Sequence, residues 1–374
     1  MQTLTETSDS YKNFVNSLDS EYSRIGYIRS FRQFMKFCKV DTYDELLQID
    51  LKRLEGIIRD YIIHMREDRK LSPSSIANYC AAISHFFEMN DVAINWKKLK
   101  KFKGRLKRVI EDVPYTRDQI KTLVDNATLR DRCVILLMSS AGLRRGAIPS
   151  LMLKDLKKID KYGLYKITVY KKEQEQYITY CTPECAKVID QYLDWRKRLG
   201  ENLQPNAILI RREFDTTSHI IIAKPRPLSR ETIGHNISTL LDKTGIRPHT
   251  EFHAKSNIMT CHAFRKFFDT QCINHNMNPL YAEYLMGHKT GLMKSYFKPS
   301  DNELLEGNDK SVGYIAVIPY LTINATEEEN ERLKRQVETL QVEKSQIEDL
   351  QKEMNAIKAL VAVKTKATST YQQK

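Results

Sequence analysis

Three short stretches hold the residues best suited to chemistry: AGLRRGAIPSL at 141–151, CHAFRKFFDT at 261–270 and YLMGHKTGLMKSYFKP at 284–299. Between them they offer Arg144, His262, Arg265, His288 and Tyr296. His262 and Arg265 stand at i and i+3, so on a helix they share one face. Thr260 is placed to cap that helix, which would put the pair in its first turns. Free N–H groups and the helix dipole favour anions there. Two arginines and two histidines converging make a dense, acid-free set of donors for a phosphate. Phosphoryl transfer is mostly positioning and charge stabilisation, which suits such a set. A tyrosine beside it can attack phosphorus as a phenolate, because cationic neighbours depress its pKa. Taken singly, each residue has an ordinary explanation: an ion-paired arginine, a core histidine, one of 19 tyrosines. Order and spacing within one unit carry the reading.

These stretches need a scaffold, and the pattern predicts a mainly α fold with a small antiparallel sheet. Tyr22, Ile25, Ile28, Phe31, Phe34, Met35 and Cys38 form one apolar helical stripe. Ser72 and Pro73 open another helix, with Ile76, Tyr79, Cys80, Ile83, Phe86 and Phe87 inward. Residues 1–94 thus read as a helical bundle. Residues 95–114 read as a basic linker, carrying Lys97, Lys98, Lys100, Lys101, Lys103, Arg105, Lys107 and Arg108. Such a run can track phosphates and release counterions, or simply be a solvated connection.

Residues 115–325 form the second unit. Asp131 to Ser139 reads as a buried helix. Leu164 to Tyr170 and Gln176 to Tyr180 read as a hairpin around KKEQE. Thr182-Pro183 starts a helix that stops at Gly200, and Ser229 caps one that ends at Gly245. Ile233, Ile237, Leu240 and Leu241 face inward on the latter. Residues 326–374 read as a long helix and a disordered tail. Leu333, Val337, Leu340 and Ile347 follow a heptad seam interrupted by Lys344, and Leu350, Met354, Ile357 and Val361 follow a seam shifted by one residue. That helix pairs with another chain, lies back on the body or stands alone.

Composition agrees with a nucleic-acid partner. The chain of 374 residues has 60 Lys and Arg against 47 Asp and Glu, a net charge of +13. A basic protein of this size needs an acidic partner or tolerates self-repulsion. Collagen, low-complexity polymer and full-length disorder are excluded by 13 Gly, 11 Pro and recurrent helical periodicity. No apolar run reaches the length of a membrane span. The start, MQTLTETSDS, lacks the features of a secretory signal, so a cytoplasmic location is expected. Seven scattered cysteines do not form a disulfide framework. Cys181 and Cys185 lack a second pair at zinc-finger spacing. There is no P-loop, HExxH or EF-hand motif, and neither a metal nor another cofactor is expected.

With these motifs in order, the chain resembles the tyrosine recombinases of the phage-integrase family from about residue 10 to residue 325. AGLR resembles the family's first-arginine motif, HAFR its His-x-x-Arg motif and LMGH its Leu-Gly-His motif, and SYF lies where the nucleophilic tyrosine falls. YFKPSDNELLEG followed by IPYLTI most resembles integrases of archaeal viruses and plasmids. The resemblance implies a SAM-like core-binding domain at 1–94, the recombinase catalytic domain at 115–325, and a clamp around double-stranded DNA crossed by the linker. It implies that Tyr296 attacks the scissile phosphate to form a 3′-phosphotyrosine and release a 5′-hydroxyl. Arg144 and Arg265 would grip the non-bridging oxygens, and His288 would hydrogen-bond the same phosphate. His262 would assist proton transfer or hold the phosphate. A hairpin lysine would be general acid to the leaving oxygen: Lys172, with Lys171 in reserve, because alternation along a strand turns only one inward. Self-association to a tetramer on DNA is implied, as is the integrase of a mobile element in an archaeal or bacterial host. One departure is Ala147, where the family commonly has a supporting acid.

Two other readings share parts of this evidence. A type IB topoisomerase-like nicking-closing protein has the same site chemistry without a synapse. A catalytically silent DNA-binding protein needs the basic surface but not Tyr296. A structural coiled-coil protein leaves three hundred residues unexplained, and serine recombinases or metal-dependent transposases do not account for the Arg/His/Tyr set.

Overall fold

A computed structural model describes residues 8–104, 113–247, 260–288, 297–308 and 311–324, together with scattered positions from 335 to 358. The chain divides into two compact units, Met1–Val109 and Ile110–Lys374.

The first unit is helical: α1 (Asp9–Asn16), α2 (Glu21–Cys38), α3 (Tyr43–Leu47), α4 (Leu51–Glu67), α5 (Pro73–Glu88) and α6 (Trp96–Leu99). Local chemistry sets the starts. Ser72 Oγ accepts from the Ser75 amide at 3.2 Å, with Pro73 in the first turn, as the sequence predicts. Asp50 caps α4 in the same way. The core is aromatic, gathering Phe14, Phe31, Phe34, Tyr61, Phe86 and Phe87. Each such ring, fully buried, contributes about 1.5–3 kcal/mol. The expected α2 stripe is only partly buried. Phe31, Phe34 and Met35 are inside, whereas Tyr22 and Ile25 are 55% and 59% exposed. The core reaches back along that helix only as far as Tyr27 and Ile28, which are partly buried against it.

The start of the basic run is folded onto this unit. Leu99 is buried, Trp96 and Phe102 pack against the core, and Arg66 donates to the Phe102 carbonyl at 2.7 Å. Lys97, Lys98, Lys100 and Lys101 remain exposed, and Lys103 is half-buried. Arg105, Lys107 and Arg108 lie outside the described residues.

In the second unit, α8 (Leu129–Ser140) is the central post, packed by α7 (Arg117–Asn126), α9 (Pro183–Arg198), α11 (Arg230–Lys243), α12 (His262–Asn274) and the helix Tyr314–Leu321. Every residue of α8 from Cys133 to Ser140 is buried, which explains why its sequence is apolar all round. Beside it lies an antiparallel sheet in the order β1 (Leu156–Ile159), β2 (Leu164–Val169), β3 (Tyr177–Tyr180). The expected hairpin is β2–β3, with Val169 opposite Tyr177. Strand β1 was not legible in the sequence. It is a short edge strand in which Lys157 and Lys158 face solvent, so no alternation marks it. Thr182 and Ser229 cap α9 and α11 as expected. Helices α10 (His219–Ala223) and α13 (Pro279–Leu285) complete the described set up to His288.

Thr260 does not cap α12. The cap position is Cys261, in helical backbone conformation and without a side-chain cap bond. The Thr260 carbonyl instead accepts the Tyr115 hydroxyl at 2.9 Å. All seven cysteines are free thiols. Among the described residues no helix is long and apolar enough to cross a membrane. The described positions between 335 and 358 are helical, and Val342, Ile347, Leu350, Met354 and Ile357 are exposed there. Leu333, Val337, Leu340, Lys344 and Val361 of the two seams lie outside the described residues.

Candidate active site

The loop after α8 carries AGLR, and its geometry follows from Gly142. That residue has φ +60°, and a Cβ on it would meet the Phe268 ring of α12 at 2.8 Å. Only glycine allows both the left-handed backbone and this approach. The Ala141 carbonyl accepts from Thr179 Oγ1 of β3 at 2.8 Å, and the Gly142 carbonyl accepts from Arg265. The loop is thereby fastened to the sheet and to α12, and Arg144 emerges beside Arg265.

Both arginines are held by the LMGH turn that follows α13. Arg144 Nη1 donates to the carbonyls of Met286 (3.1 Å) and Gly287 (3.4 Å). Arg265 Nη2 donates to the Met286 carbonyl at 3.1 Å and reaches His288 Nε2 at 2.8 Å. His288 Nδ1 lies 2.7 Å from Glu283 Oε2. The turn itself depends on Gly287, with φ +63° and the Tyr177 ring 2.4 Å from where its Cβ would be. Strand β3 therefore packs directly on the turn that orients the histidine.

Arg265 is only 4% exposed. Burial, reinforced by the charge of Arg144, pushes its pKa down to about 10, which leaves it cationic at neutral pH. Burial also raises the Tyr177 phenol to about 12, against the pull of Arg265 and Arg144. Asp269 of α12 is raised by burial and by Glu283, while His288 and Arg265 oppose the shift. The expectation of an acid-free site thus needs correcting. Two carboxyl groups, Glu283 and Asp269, stand behind the donors.

His262 is exposed at the first position of α12. It lines a cleft of about 350 Å³ with Arg144, Arg145, Thr260, Cys261 and Arg265. Arg145 crosses α11 at Gly234, where a Cβ would stand 2.4 Å from its Nη1. Burial raises the Cys261 thiol, and Arg145 opposes that shift. Ala147, at the position of the commonly acidic residue, is fully buried.

Both hairpin lysines lie in the turn beyond Val169, not in the strand, so alternation does not choose between them. Lys171 Nζ is 3.8 Å from Asp155 Oδ1. Lys172 has φ +72°, its amide donates to Gln176 Oε1 at 2.8 Å, and its side chain is exposed. Tyr296 lies outside the described residues. The next residue, Phe297, packs on Tyr281 and Tyr284 of α13 at centroid distances of 6.0 and 5.8 Å. Its carbonyl accepts the Tyr284 hydroxyl.

Sequence reasoning missed Glu283, five residues before His288, and the pairing of Gly287 with Tyr177. An acid within one helical turn and a half of a motif histidine is the only available signal for the first. Nothing in the sequence signals the second.

The model of the phage integrase family matches residues 115–302, half of the chain. This chain belongs to the phage integrase family. Solved structures agree on the fold. The Tn1549 transposon integrase in complex with circular intermediate DNA superposes with a TM-score of 0.52 at 16% identity, over 78% of this chain and 96% of that one. A lambda integrase dimer bound to a core site gives 0.52 at 14% identity, over 78% and 94%. No curated protein matches by sequence. Membership of the family supports site-specific recombination as the class of activity.

Proposed function

We propose that this integrase-family protein is a site-specific DNA recombinase that cleaves and rejoins duplex DNA through a 3′-phosphotyrosine on Tyr296. The observation that carries the reading is the convergence of Arg144, Arg265 and His288 on the Met286–Gly287 turn, with His262 on the same cleft. Arg144 and Arg265 grip the non-bridging oxygens as charge builds in the transition state. Their directions are already set by backbone carbonyls, so little reorganisation is needed at the moment of reaction. His288 hydrogen-bonds the same phosphate. His262 takes the phenolic proton of Tyr296 or steadies the phosphate. Lys172 protonates the leaving 5′-oxygen. Both lysines are exposed in the turn, and what favours Lys172 is that Lys171 is directed at Asp155. The ester to Tyr296 conserves the bond energy, and a 5′-hydroxyl from a second duplex reverses the attack.

Lys97, Lys98, Lys100, Lys101, Lys103, Arg105, Lys107 and Arg108 contact the DNA backbone. Two duplexes exchanging strands require about four subunits, so the active form is a tetramer on DNA. The tail beyond residue 326 contributes to that assembly, and the gene belongs to a mobile element of an archaeal or bacterial host.

Covalent capture tests the reaction. Nicked suicide duplexes selected for binding from a randomised pool are incubated with the protein in EDTA and resolved on a denaturing gel. A protein–DNA adduct that disappears in Tyr296→Phe is expected. An adduct that survives the substitution refutes the choice of nucleophile, and bound DNA that is never captured refutes the strand-transfer reading.

A further inference from the structure

His288 has its two ring nitrogens committed to partners of opposite kind. Nδ1 faces the Glu283 carboxylate at 2.7 Å, and Nε2 faces an Arg265 N–H at 2.8 Å. A guanidinium has no acceptor, so Nε2 must present a lone pair to it. The proton then belongs on Nδ1, where the carboxylate accepts it. This arrangement suits the free chain but conflicts with the role assigned to His288, because a lone pair cannot donate to a phosphate oxygen. Ionisable groups from each element packed about the imidazole bear on how the conflict is resolved. They are Glu283 of α13, Arg265 and Asp269 of α12, Arg144 of the loop after α8, and Tyr177 of β3 against the adjoining Gly287.

We propose that Glu283 is the positioning residue of His288 and that phosphate engagement takes up one proton at Nε2. The proposal rests on the strand-transfer reading and deepens it. In the free chain Glu283 fixes the ring as the Nδ1–H tautomer, and Arg265 is parked on Nε2. When a phosphate enters, a proton from solvent adds to Nε2, converting imidazole to imidazolium. The new N–H donates to a phosphate oxygen, and the Arg265 N–H leaves the ring for the same phosphate. The imidazolium keeps its Nδ1–H on the carboxylate, which offsets the added charge. The site therefore exchanges one internal hydrogen bond for two to the substrate.

Two readouts on the full chain test this. In the first, ring nitrogens are observed by NMR with ¹⁵N-labelled histidine, His288 being assigned through His288→Gln. The free wild type shows the Nδ1–H form. Inorganic phosphate shifts His288 toward the doubly protonated form at a pH where the phosphate-free chain is neutral. Glu283→Gln, whose amide oxygen still accepts Nδ1–H, keeps the tautomer and weakens the phosphate response; Glu283→Ala loses both. In the second readout, covalent capture is followed against pH. Glu283→Gln cleaves at low pH and loses cleavage at a lower pH than the wild type does. Glu283→Ala falls at least tenfold throughout. An Nε2–H tautomer in the free wild type overturns the proposal whatever the DNA assay gives. So does a phosphate response that is equal in wild type and Glu283→Ala. If the tautomer and response are as expected but wild type captures no DNA, the strand-transfer reading fails while the hold of Glu283 on His288 stands.

Discussion

Arg265 and Lys172 are assigned to one reaction yet held in opposite ways. Arg265 is buried in α12 and donates to the carbonyls of Gly142 and Met286 and to His288. Lys172 sits on an exposed turn with a positive φ, its backbone amide donating to Gln176. One group is anchored by two carbonyls before substrate arrives and has only its N–H on His288 to redirect; the other is presented on a flexible stem. The difference matches what each is asked to do. Charge stabilisation gains most from donors that do not reorganise. A general acid must reach an oxygen whose position is defined only once DNA is bound.

The sharpest way to break this contrast is at the fixed side. Arg265→Lys keeps a charge but cannot keep three directed donor contacts, so single-turnover cleavage should fall about 100- to 1,000-fold. A loss of only a few-fold would mean that charge alone, not the built geometry, matters there. The next test is on the loose side. Lys172→Ala should slow cleavage about 100-fold, and a 5′-bridging sulfur in place of the leaving oxygen should restore it, since a thiolate leaves without protonation. Full restoration identifies a general acid; none points to a phosphate contact instead. Gly287→Ala asks whether the turn is as rigid as its contacts imply. The left-handed backbone alone costs about 1–3 kcal/mol, and the Tyr177 ring must also move, so thermal unfolding should shift downward by several degrees. The smallest effect is expected for Lys171→Ala. Its pairing with Asp155 is worth about 0–1 kcal/mol, and cleavage should stay close to wild type. A large loss there with none at Lys172 would exchange the two assignments.

The motif residues were legible because each motif is a local backbone device. AGLR and LMGH each turn on a glycine with positive φ, Gly142 and Gly287. The helix starts at Ser72, Thr182 and Ser229 were legible for the same reason, since capping is decided within three residues. What escaped depended on distant packing. Tyr22 and Ile25 fit the apolar period of α2 but lie beyond the reach of its aromatic core. Thr260 has the right chemistry for a cap, yet the chain enters α12 already helical at Cys261. Strand β1 exists because β2 offers it an edge. The choice between Lys171 and Lys172 turns on where β2 stops, a boundary the sequence does not mark.

The Met286 carbonyl accepts from both Arg144 and Arg265. A main-chain oxygen is present whatever residue is encoded at that codon. The gene can therefore drift at position 286 among side chains that fit the space without touching the atom that aligns the two cations. Heritable variation reaches that alignment only indirectly, by bending the turn. A site anchored this way keeps its geometry while the side chains around it change.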